Sequence, residues 1–234
     1  MGKKFGTLTL VPTPISRKYA PSPSNIEILQ RAFDRNELIL VEDLKPSRQR
    51  WTSWGLPREA IDSFICYNEQ SWSEVLPSIV EEISSGRNAV IFSDGGMPVI
   101  ADPGRELVFQ LRDKGAKIDC GPFENSFLMA LALSGFYNES FEYLGFPPRE
   151  KEERVEFWSS VNKNKKTLII MDTGYRLKRV QEELIEYLKD SNRKLYIGCN
   201  LNTDEQIEFW GTTSQLKKKG LPGKHNFVLC INSV

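Results

Sequence analysis

Two short segments of the sequence follow apolar, strand-like runs and carry groups that can hold a small polar ligand. The first, residues 11–16 (VPTPIS), has two prolines that fix the backbone and the hydroxyls of Thr13 and Ser16. The second, residues 93–98 (SDGGMP), has a glycine pair that lets the chain turn sharply and lets a ligand approach main-chain atoms closely. Its Asp94 carboxylate can accept a hydrogen bond from a ribose hydroxyl or an ammonium group. These groups suit a ligand that carries a ribose or an amine.

The same two segments also have a purely structural interpretation. Either one could be a plain tight turn. The second could lead into a helix capped by Asp102, with Pro103 at the first helical position, where the missing N–H costs nothing. The spacing alone leaves both interpretations open.

The rest of the sequence disfavours several common chemistries. The single histidine, His225, is not accompanied by a nucleophile elbow, which disfavours a Ser-His-Asp triad. The four cysteines, at positions 66, 120, 199 and 230, form no C-x-x-C pair, which disfavours a zinc knuckle or a thiol redox site. No G-x-G-x-x-G or G-x-x-x-x-G-K-[ST] motif is present, which disfavours a phosphate-cradling cofactor. We therefore predict a site without a metal and without histidine chemistry.

The composition is that of an ordinary globular protein. Of 234 residues, 40% are hydrophobic and 26% are charged, and 31 Lys and Arg balance 31 Asp and Glu. A net charge of zero gives no overall field for nucleic acid or an anionic membrane, so such binding would need a local basic patch. No apolar run approaches the ~18 residues of a membrane span, and the run at residues 5–11 is too short for a signal peptide. We expect a cytoplasmic protein that does not enter a membrane.

Apolar, strand-like runs alternate with amphipathic helical stretches along the whole chain. Strands are predicted at residues 7–11, 38–41, 64–67, 89–92, 117–120, 167–171, 195–197 and 227–231, and helices at residues 25–33, 69–84, 126–133, 149–164 and 175–189 and from residue 103. This alternation predicts an α/β fold with mostly parallel sheets flanked by helices. We divide it into two α/β domains, residues 1–121 and 122–234. In such folds a ligand binds beyond the carboxyl ends of the strands, where both candidate segments lie.

A series of motifs follows one known family in order. The motifs are residues 9–15 (TLVPTPI), 42–43 (ED), 68–70 (NEQ), 93–104 (SDGGMPVIADPG), 131–135 (LALSG), 145–148 (GFPP) and 167–169 (TLI). They cover nearly the whole chain, and the ordered pair of the first and fourth is much more specific than either alone. The chain resembles the tetrapyrrole methylase superfamily of S-adenosylmethionine-dependent methyltransferases. Within it, the chain is most similar to the branch that methylates a ribose 2′-hydroxyl in small-subunit ribosomal RNA.

The resemblance implies a two-domain tetrapyrrole-methylase-like fold in which S-adenosylmethionine, the methyl donor, binds in a cleft between the domains. Homodimers are common in the family, so a homodimer is expected. By analogy, the donor-binding residues of the first domain are Pro12, Thr13, Ser93, Asp94, Gly95, Gly96, Met97, Pro98, Ala101 and Asp102. Those of the second domain are Ser126 and Phe127, on its first helix, and Met171, at a strand end. Residues 93–98 would hold the methionine and ribose portions, partly through main-chain groups.

The sequence departs from the family pattern mainly in the second domain. In the first domain, Met97 stands where the family has threonine in its S-D-A-G-T-P motif. Residues 171–176 (MDTGYR) keep an acid and the arginine of the family's Y-E-x-x-H-R but lack its histidine. Residues 198–203 (GCNLNT) and 224–226 (KHN) stand where the family has A-R-E-L-T-K and K-G-E. The donor segments are thus better kept than the segments expected to bind the acceptor.

A methyltransferase with a hydroxyl acceptor needs few reactive side chains. Displacement at a sulfonium requires mainly that the protein align the acceptor with the methyl group and exclude water. The hydroxyl proton must still be removed, by a carboxylate or a lysine. Candidates are Glu42, Asp43, Glu69 and Asp172, with Arg48 or Arg176 to orient them. We predict that the catalytic residues are Glu42 and Asp43, together with Arg48, because the acidic pair lies just past a strand end. Each of them could instead be a surface or helix-cap charge.

A local basic and aromatic segment could bind RNA. Residues 45–54 (KPSRQRWTSW) carry Arg48 and Arg50 for phosphates and Trp51 and Trp54 for stacking on bases. The segment could equally be a lid over the cleft or a dimer contact. The lysines at positions 217–219 and 224 form another cluster, whose plainer interpretation is a solvated helix end.

Three functions are compatible with the sequence. The first, which we expect, is an RNA ribose methyltransferase. The second is a methyltransferase for a small or tetrapyrrole-like acceptor. The third is an S-adenosylmethionine-binding protein that has lost catalysis, given its altered second-domain segments.

Overall fold

Two five-stranded sheets, each with its own helices, organise the chain. The computed structural model describes residues 5–123, 125–189 and 191–234. Internal contacts divide the chain into two units, Met1–Glu124 and Asn125–Val234; the boundary predicted from the sequence lies after residue 121. The predicted α/β class is confirmed. Within the described part of the chain, no helix has the length and apolarity that crossing a membrane would require.

The first unit contains an all-parallel sheet. Its strands are β1 (Thr7–Leu10), β2 (Leu38–Val41), β3 (Phe64–Cys66), β4 (Ala89–Phe92) and β5 (Lys117–Cys120), in the order β3-β2-β4-β1-β5. Strands β2 and β4 are buried along their whole length, as expected for parallel strands that are covered on both faces. Strands β1 and β4 are parallel neighbours in this sheet, so their ends lie side by side.

Alternating side chains of these strands form an apolar layer on each face of the first sheet. Leu38 and Leu40 join one layer, whereas Ile39 and Val41 join the other. The helices of this unit are α1 (Pro23–Asp34), α2 (Leu44–Ser53), α3 (Trp72–Ser84) and α4 (Arg105–Asp113). Helices α3 and α4 cover the layer that contains Leu40, and α1 and α2 cover the layer that contains Val41.

Helix α2 is a difference from the sequence prediction, which left this stretch without a helix. It begins directly after β2, where the Asp43 carboxylate accepts a hydrogen bond from the Lys45 N–H at 2.9 Å and caps the first turn. The residues that it buries are Ser47, Arg50 and Trp51. Because only one of these three is apolar, the periodicity of apolar residues could not reveal this helix.

The second unit contains a mixed sheet. Its strands are β6 (Phe141–Gly145), β7 (Thr167–Asp172), β8 (Leu195–Cys199), β9 (Ile207–Gly211) and β10 (Phe227–Ile231), in the order β6-β7-β10-β8-β9. Only β6 and β7 pair in parallel; the other three pairings are antiparallel. The parallel arrangement predicted for both sheets therefore holds throughout the first sheet and at one pairing of the second. The connection between β8 and β9 is too short for a parallel crossover, so these strands must run in opposite directions.

Helices cover the two faces of the second sheet unequally. They are α5 (Ser126–Ser134), α6 (Lys151–Lys163), α7 (Leu177–Tyr187) and α8 (Thr213–Lys219). Helix α5 lies over one face, and α6, α7 and α8 contribute to the core on the other. The sequence did not predict β6, β9 and α8. Strands β6 and β9 are the edges of the sheet and are only partly buried, so their apolar pattern is weak.

A buried ion pair ties α6 to α7 in the second unit. Arg154, with 2% of its side chain exposed, donates to both carboxylate oxygens of Glu183 at 2.6 and 2.8 Å. Trp158 Nε1 donates to the same carboxylate at 2.8 Å. A further Arg154 nitrogen donates to the Pro148 carbonyl at 2.7 Å. Because its donors are matched, the buried guanidinium is held without an uncompensated charge.

We predict that Glu183→Ala lowers the free energy of unfolding by about 3 kcal/mol, because it leaves Arg154 charged and buried without its partner. Urea denaturation of the full chain, followed by circular dichroism, measures the change. Glu182→Ala is the matched control: its partner Lys178 lies 3.9 Å away and both side chains are exposed, so the cost should stay below about 0.5 kcal/mol. Equal costs for the two variants would contradict the prediction.

Candidate functional site

The two segments singled out in the sequence meet beyond the adjacent ends of β1 and β4. Thr13 and Gly96 pair through two main-chain hydrogen bonds, from the Thr13 N–H to the Gly96 carbonyl at 2.9 Å and from the Gly96 N–H to the Thr13 carbonyl at 2.8 Å. The Thr13 hydroxyl also donates to the Ser93 carbonyl at 3.0 Å, and this bond is buried. The two segments therefore form one structural feature of the first unit, which we call the paired loops (residues 11–16 and 93–104).

A buried arginine holds the proline-containing segment of the paired loops in place. Arg50, on α2, is 3% exposed and donates to the carbonyls of Pro14 at 2.9 Å and Ile15 at 3.2 Å. Burial, and next the nearby Arg17, lower the pKa of Arg50, whereas Asp94 raises it. A Cβ at Gly95 would lie only 3.2 Å from the Ile15 Cα, so a side chain at this position would push the two segments apart.

The predicted catalytic residues lie around α2, beside the paired loops. Glu42 Oε2 accepts a hydrogen bond from the Asp94 N–H at 3.1 Å, so this carboxylate touches the glycine-containing segment directly. Asp43 is exposed and caps α2. Arg48 is exposed on the same helix. The structure thus gives Asp43 a structural role, and the catalytic role of all three residues stays a prediction.

Carboxyl groups in the paired loops have raised pKa values. Burial, and next the charges of Glu42 and Asp43, raise the pKa of Asp94 to about 6, against the opposing effects of Arg50 and a hydrogen bond from Ser47. Burial and the charge of Glu42 raise the pKa of Asp102 to about 7. The Ser93 hydroxyl opposes this shift, and the charge of Asp94 adds to it. A cationic ligand would be attracted here, because it would offset the repulsion among these partly desolvated carboxylates.

Asp102 does not cap the following helix, which corrects the structural interpretation of the sequence. Helix α4 begins at Arg105, and Gly104 occupies its N-cap position without a side-chain hydrogen bond. The backbone before it is strained: Val99 has φ 79° and Ala101 has φ 62°, values that residues other than glycine rarely adopt. Strained backbone of this kind is concentrated at ligand sites, so it favours a functional role for residues 93–104.

An asparagine that the sequence analysis missed organises the start of the proline-containing segment. Asn25, 2% exposed near the start of α1, donates to the carbonyls of Pro12 at 3.1 Å and Pro122 at 2.9 Å. It thereby fixes the chain that leaves β1 against the chain that leaves β5. Beyond the end of β4, the Met97 sulfur lies 3.9 Å from the sulfur of Cys120, the last residue of β5. A single asparagine on a helix gives no sequence signal that it will contact Pro12 and Pro122.

The predicted donor-binding residues of the second unit form their own cluster. Asn125 caps α5 by accepting from the Phe127 N–H at 3.0 Å. The Phe127 ring stacks on Tyr143 at a centroid distance of 4.7 Å, and the Tyr143 hydroxyl donates to Met171 Sδ at 3.3 Å. Ser126, half-buried, begins the same helix. The roles of Ser126, Phe127 and Met171 in donor binding stay predictions.

Two of the four residues predicted to contact RNA, Arg50 and Trp51, are buried, which corrects the sequence prediction. Trp51 is fully buried, and its Nε1 donates to the Pro57 carbonyl at 2.7 Å. Arg50 is occupied by the carbonyl groups described above, and Trp54 is half-buried with its ring 5.8 Å from that of Phe92. Arg50 and Trp51 are therefore wrong as RNA contacts, because both side chains face the interior. Of the four predicted residues, Arg48 is the exposed one.

Comparison with known sequences finds one family and several named relatives. The profile of the family described as Tetrapyrrole (Corrin/Porphyrin) Methylases matches residues 27–217. A ribosomal RNA small subunit methyltransferase I from Halalkalibacterium halodurans is 30% identical over 87% of this chain and 67% of its own length. The protein of the same name from Thermotoga maritima is 27% identical over 90% of each chain.

Comparison with solved structures finds the same fold. A diphthine synthase superposes with a TM-score of 0.66 at 12% identity, covering 97% of this chain and 90% of its own. A uroporphyrin-III C-methyl transferase from Thermus thermophilus, complexed with S-adenyl homocysteine, superposes with a TM-score of 0.56 at 13% identity, covering 97% of each chain. At such low identity these similarities concern the fold alone.

We predict that Asp102→Asn flattens the pH dependence of stability between about pH 4 and pH 7. In the wild type the pKa of Asp102 is about 7, against an ordinary value of 3.8, so the folded state holds a proton that the unfolded state has already released. Its stabilising contribution is complete below about pH 4 and is lost as the pH rises through 7.

Urea denaturation at pH 4, 5, 6 and 7 measures this slope. Asp113→Asn, at an exposed acid that ends α4, is the control and should keep the wild-type slope. Parallel pH profiles for the wild type and Asp102→Asn would show that Asp102 titrates as an ordinary surface carboxyl.

Proposed function

Because this chain belongs to the tetrapyrrole (corrin/porphyrin) methylase family of S-adenosylmethionine-dependent methyltransferases, we propose that it methylates a ribose hydroxyl of ribosomal RNA. The single observation that best supports use of the donor is the pairing of Thr13 with Gly96, which joins the two predicted donor segments beside desolvated carboxyls. Relatives named as small-subunit ribosomal RNA methyltransferases support the acceptor. We also propose that the protein acts as a homodimer in the cytoplasm.

The paired loops fit S-adenosylmethionine by charge and by space. The donor supplies a methyl group already activated on a sulfonium, and it also carries an ammonium group. Asp94 and Asp102 would face these cations in ionised form above their pKa values of about 6 and about 7. Apart from Gly96 and its two chain neighbours, no atom of the described residues lies within 4 Å of the position that a Cβ would take on Gly96, so the backbone is open to a ligand there. The main chain of residues 93–98 would hold the donor, and Pro12, Thr13 and Ala101 would border it.

Acceptor activation is assigned to the acidic group at the end of β2. Glu42 would take the proton of the ribose hydroxyl, with the charge of Asp43 nearby, and the exposed Arg48 would hold a phosphate of the acceptor strand. Arg17 Nη1 lies 3.4 Å from Gln49 Oε1, so a second exposed cation stands beside α2. Two cations at this edge of the first unit provide the local patch that a neutral protein needs to attract RNA.

We predict that Asp94→Ala weakens binding of S-adenosylmethionine at least tenfold, or about 1.4 kcal/mol, because it removes a carboxylate that faces the donor's positive charge. Isothermal titration calorimetry at pH 8, where Asp94 is ionised, measures the affinity. Asp113→Ala, at an exposed acid of the same unit, should bind like the wild type. Unchanged affinity in a folded Asp94→Ala variant would remove Asp94 from the donor site.

The acceptor is tested by transfer of radiolabel from S-adenosylmethionine into cell fractions of a strain that lacks this gene. We expect label in the small-subunit ribosomal RNA, because the relatives' names give that RNA, and the proposed reaction places the label on a ribose. Label in the low-molecular-weight fraction would instead identify a small or tetrapyrrole-like acceptor. Donor binding without label in any fraction would identify a donor-binding protein that has lost catalysis.

A further inference from the structure

Three segments of the second unit that are distant in sequence come together at one end of its sheet. They are residues 173–176 after β7, 200–206 after β8 and 224–226 before β10. The Gly174 N–H donates to Asn226 Oδ1 at 3.1 Å, and the Asn200 N–H donates to the Asn226 carbonyl at 3.1 Å. Asn200 Nδ2 lies 3.0 Å from His225 Nδ1. These contacts define what we call the asparagine cluster (Gly174, Asn200, His225 and Asn226).

The asparagine cluster fixes the position of an exposed tyrosine. A Cβ at Gly174 would lie 2.6 Å from the main-chain nitrogen of His225, so only glycine lets the two segments approach this closely. The next residue, Tyr175, is 83% exposed, the largest exposure of any aromatic residue described. On its other side, Arg176 pairs with the buried Asp172 at 2.8 Å and donates to the Pro147 carbonyl at 3.1 Å. Anchored on both sides, the Tyr175 ring projects from a fixed backbone into solvent.

A lysine is held beside this ring. Lys224 Nζ lies 5.4 Å from the centroid of the Tyr175 ring, within the range of a cation–π contact. The chain that leads to Lys224 is clamped to α7, because the Gln181 side chain accepts from the Leu221 N–H at 2.7 Å and donates to the Leu221 carbonyl at 3.1 Å. The exposed lysines 217–219 end α8 just before this clamp. The aromatic ring and the positive charge are therefore presented together by the fold.

We propose that Tyr175 and Lys224 bind an unpaired nucleotide of the RNA acceptor, with the base stacked on the ring and a phosphate neutralised by the ammonium group. An exposed ring offers a stacking surface to any unpaired base, and a lysine next to it reaches the backbone of the same strand. Asp172 does not oppose the phosphate, because it is buried and paired with Arg176. This inference rests on the proposed RNA methyltransferase function and adds a specificity for single-stranded RNA.

The proposal also explains why the altered segments of the second unit are found together. Residues 171–176, 198–203 and 224–226 depart from the family pattern, and the asparagine cluster draws on all three. One of these contacts joins two side chains, Asn200 and His225, and the others involve main-chain groups. A rebuilt acceptor surface would account for changes in all three segments.

The test compares binding of a fluorescein-labelled, mixed-sequence, 12-nucleotide single-stranded RNA to the full-length protein by fluorescence anisotropy. Tyr175→Ala should weaken binding about tenfold, and Tyr175→Phe should stay within twofold of the wild type, because phenylalanine keeps the stacking surface. Lys224→Gln should lower the slope of log affinity against log salt by about 0.7, the value for one phosphate contact on a single strand. Two control variants should match the wild type. Tyr137→Ala changes a 52% exposed tyrosine elsewhere in the unit, and Lys163→Gln changes an exposed lysine that ends α6.

Two further measurements separate the possible outcomes. The duplex form of the same RNA should show no dependence on Tyr175, since its bases are already stacked, and S-adenosylmethionine affinity should be unchanged in every variant. If the wild type binds RNA and Tyr175→Ala binds it equally well, the inference fails while the proposed function stands. If the wild type binds no RNA, or transfers label only to protein or a small molecule, both fail together.

Discussion

The candidate site depends on one buried cation, the guanidinium of Arg50. Taking an arginine out of water is costly unless its donors are matched, and here two of them are used by the carbonyls of Pro14 and Ile15. These bonds hold the proline-containing segment against α2. The Thr13–Gly96 pairing then carries the constraint to the glycine-containing segment. Because Gly95 leaves no side chain between them, the two segments can approach closely enough for this main-chain pairing.

Arg50 also contributes to the electrostatics of the paired loops. Its charge lowers the pKa of Asp94, but the guanidinium donates its hydrogen bonds to two neutral carbonyls. The pKa of Asp94 is about 6 and that of Asp102 about 7, both raised first by burial and next by the charge of Glu42. A group of carboxyls in this condition gains most from a ligand with positive charge, which is the character of a sulfonium methyl donor. The local chemistry therefore favours a positively charged ligand, which agrees with the proposed donor.

The second unit uses polar side chains in a comparable way, to fix backbone rather than to react. Asn226 binds Gly174, 52 residues away in the chain, and Gln181 binds Leu221, 40 residues away. These bonds fix the positions of the Tyr175 ring and of the Lys224 charge beside it. The two units thus contribute different chemistry on related principles. The first presents negative charge beside strained backbone, and the second presents an aromatic surface beside positive charge.

Local patterns in the sequence determined the α/β class and the first sheet, because buried parallel strands are continuous apolar runs and most of the helices show a helical period. The same patterns located the two segments of the paired loops, since adjacent parallel strands end at the same edge. They misplaced Arg50 and Trp51, because a short helix that buries a serine and an arginine has no apolar stripe to show which face is inside. They also could not pair Tyr175 with Lys224 or Asn25 with Pro122. Such contacts join residues far apart in the chain, and only the packed tertiary structure decides which polar groups meet and which of them are removed from water.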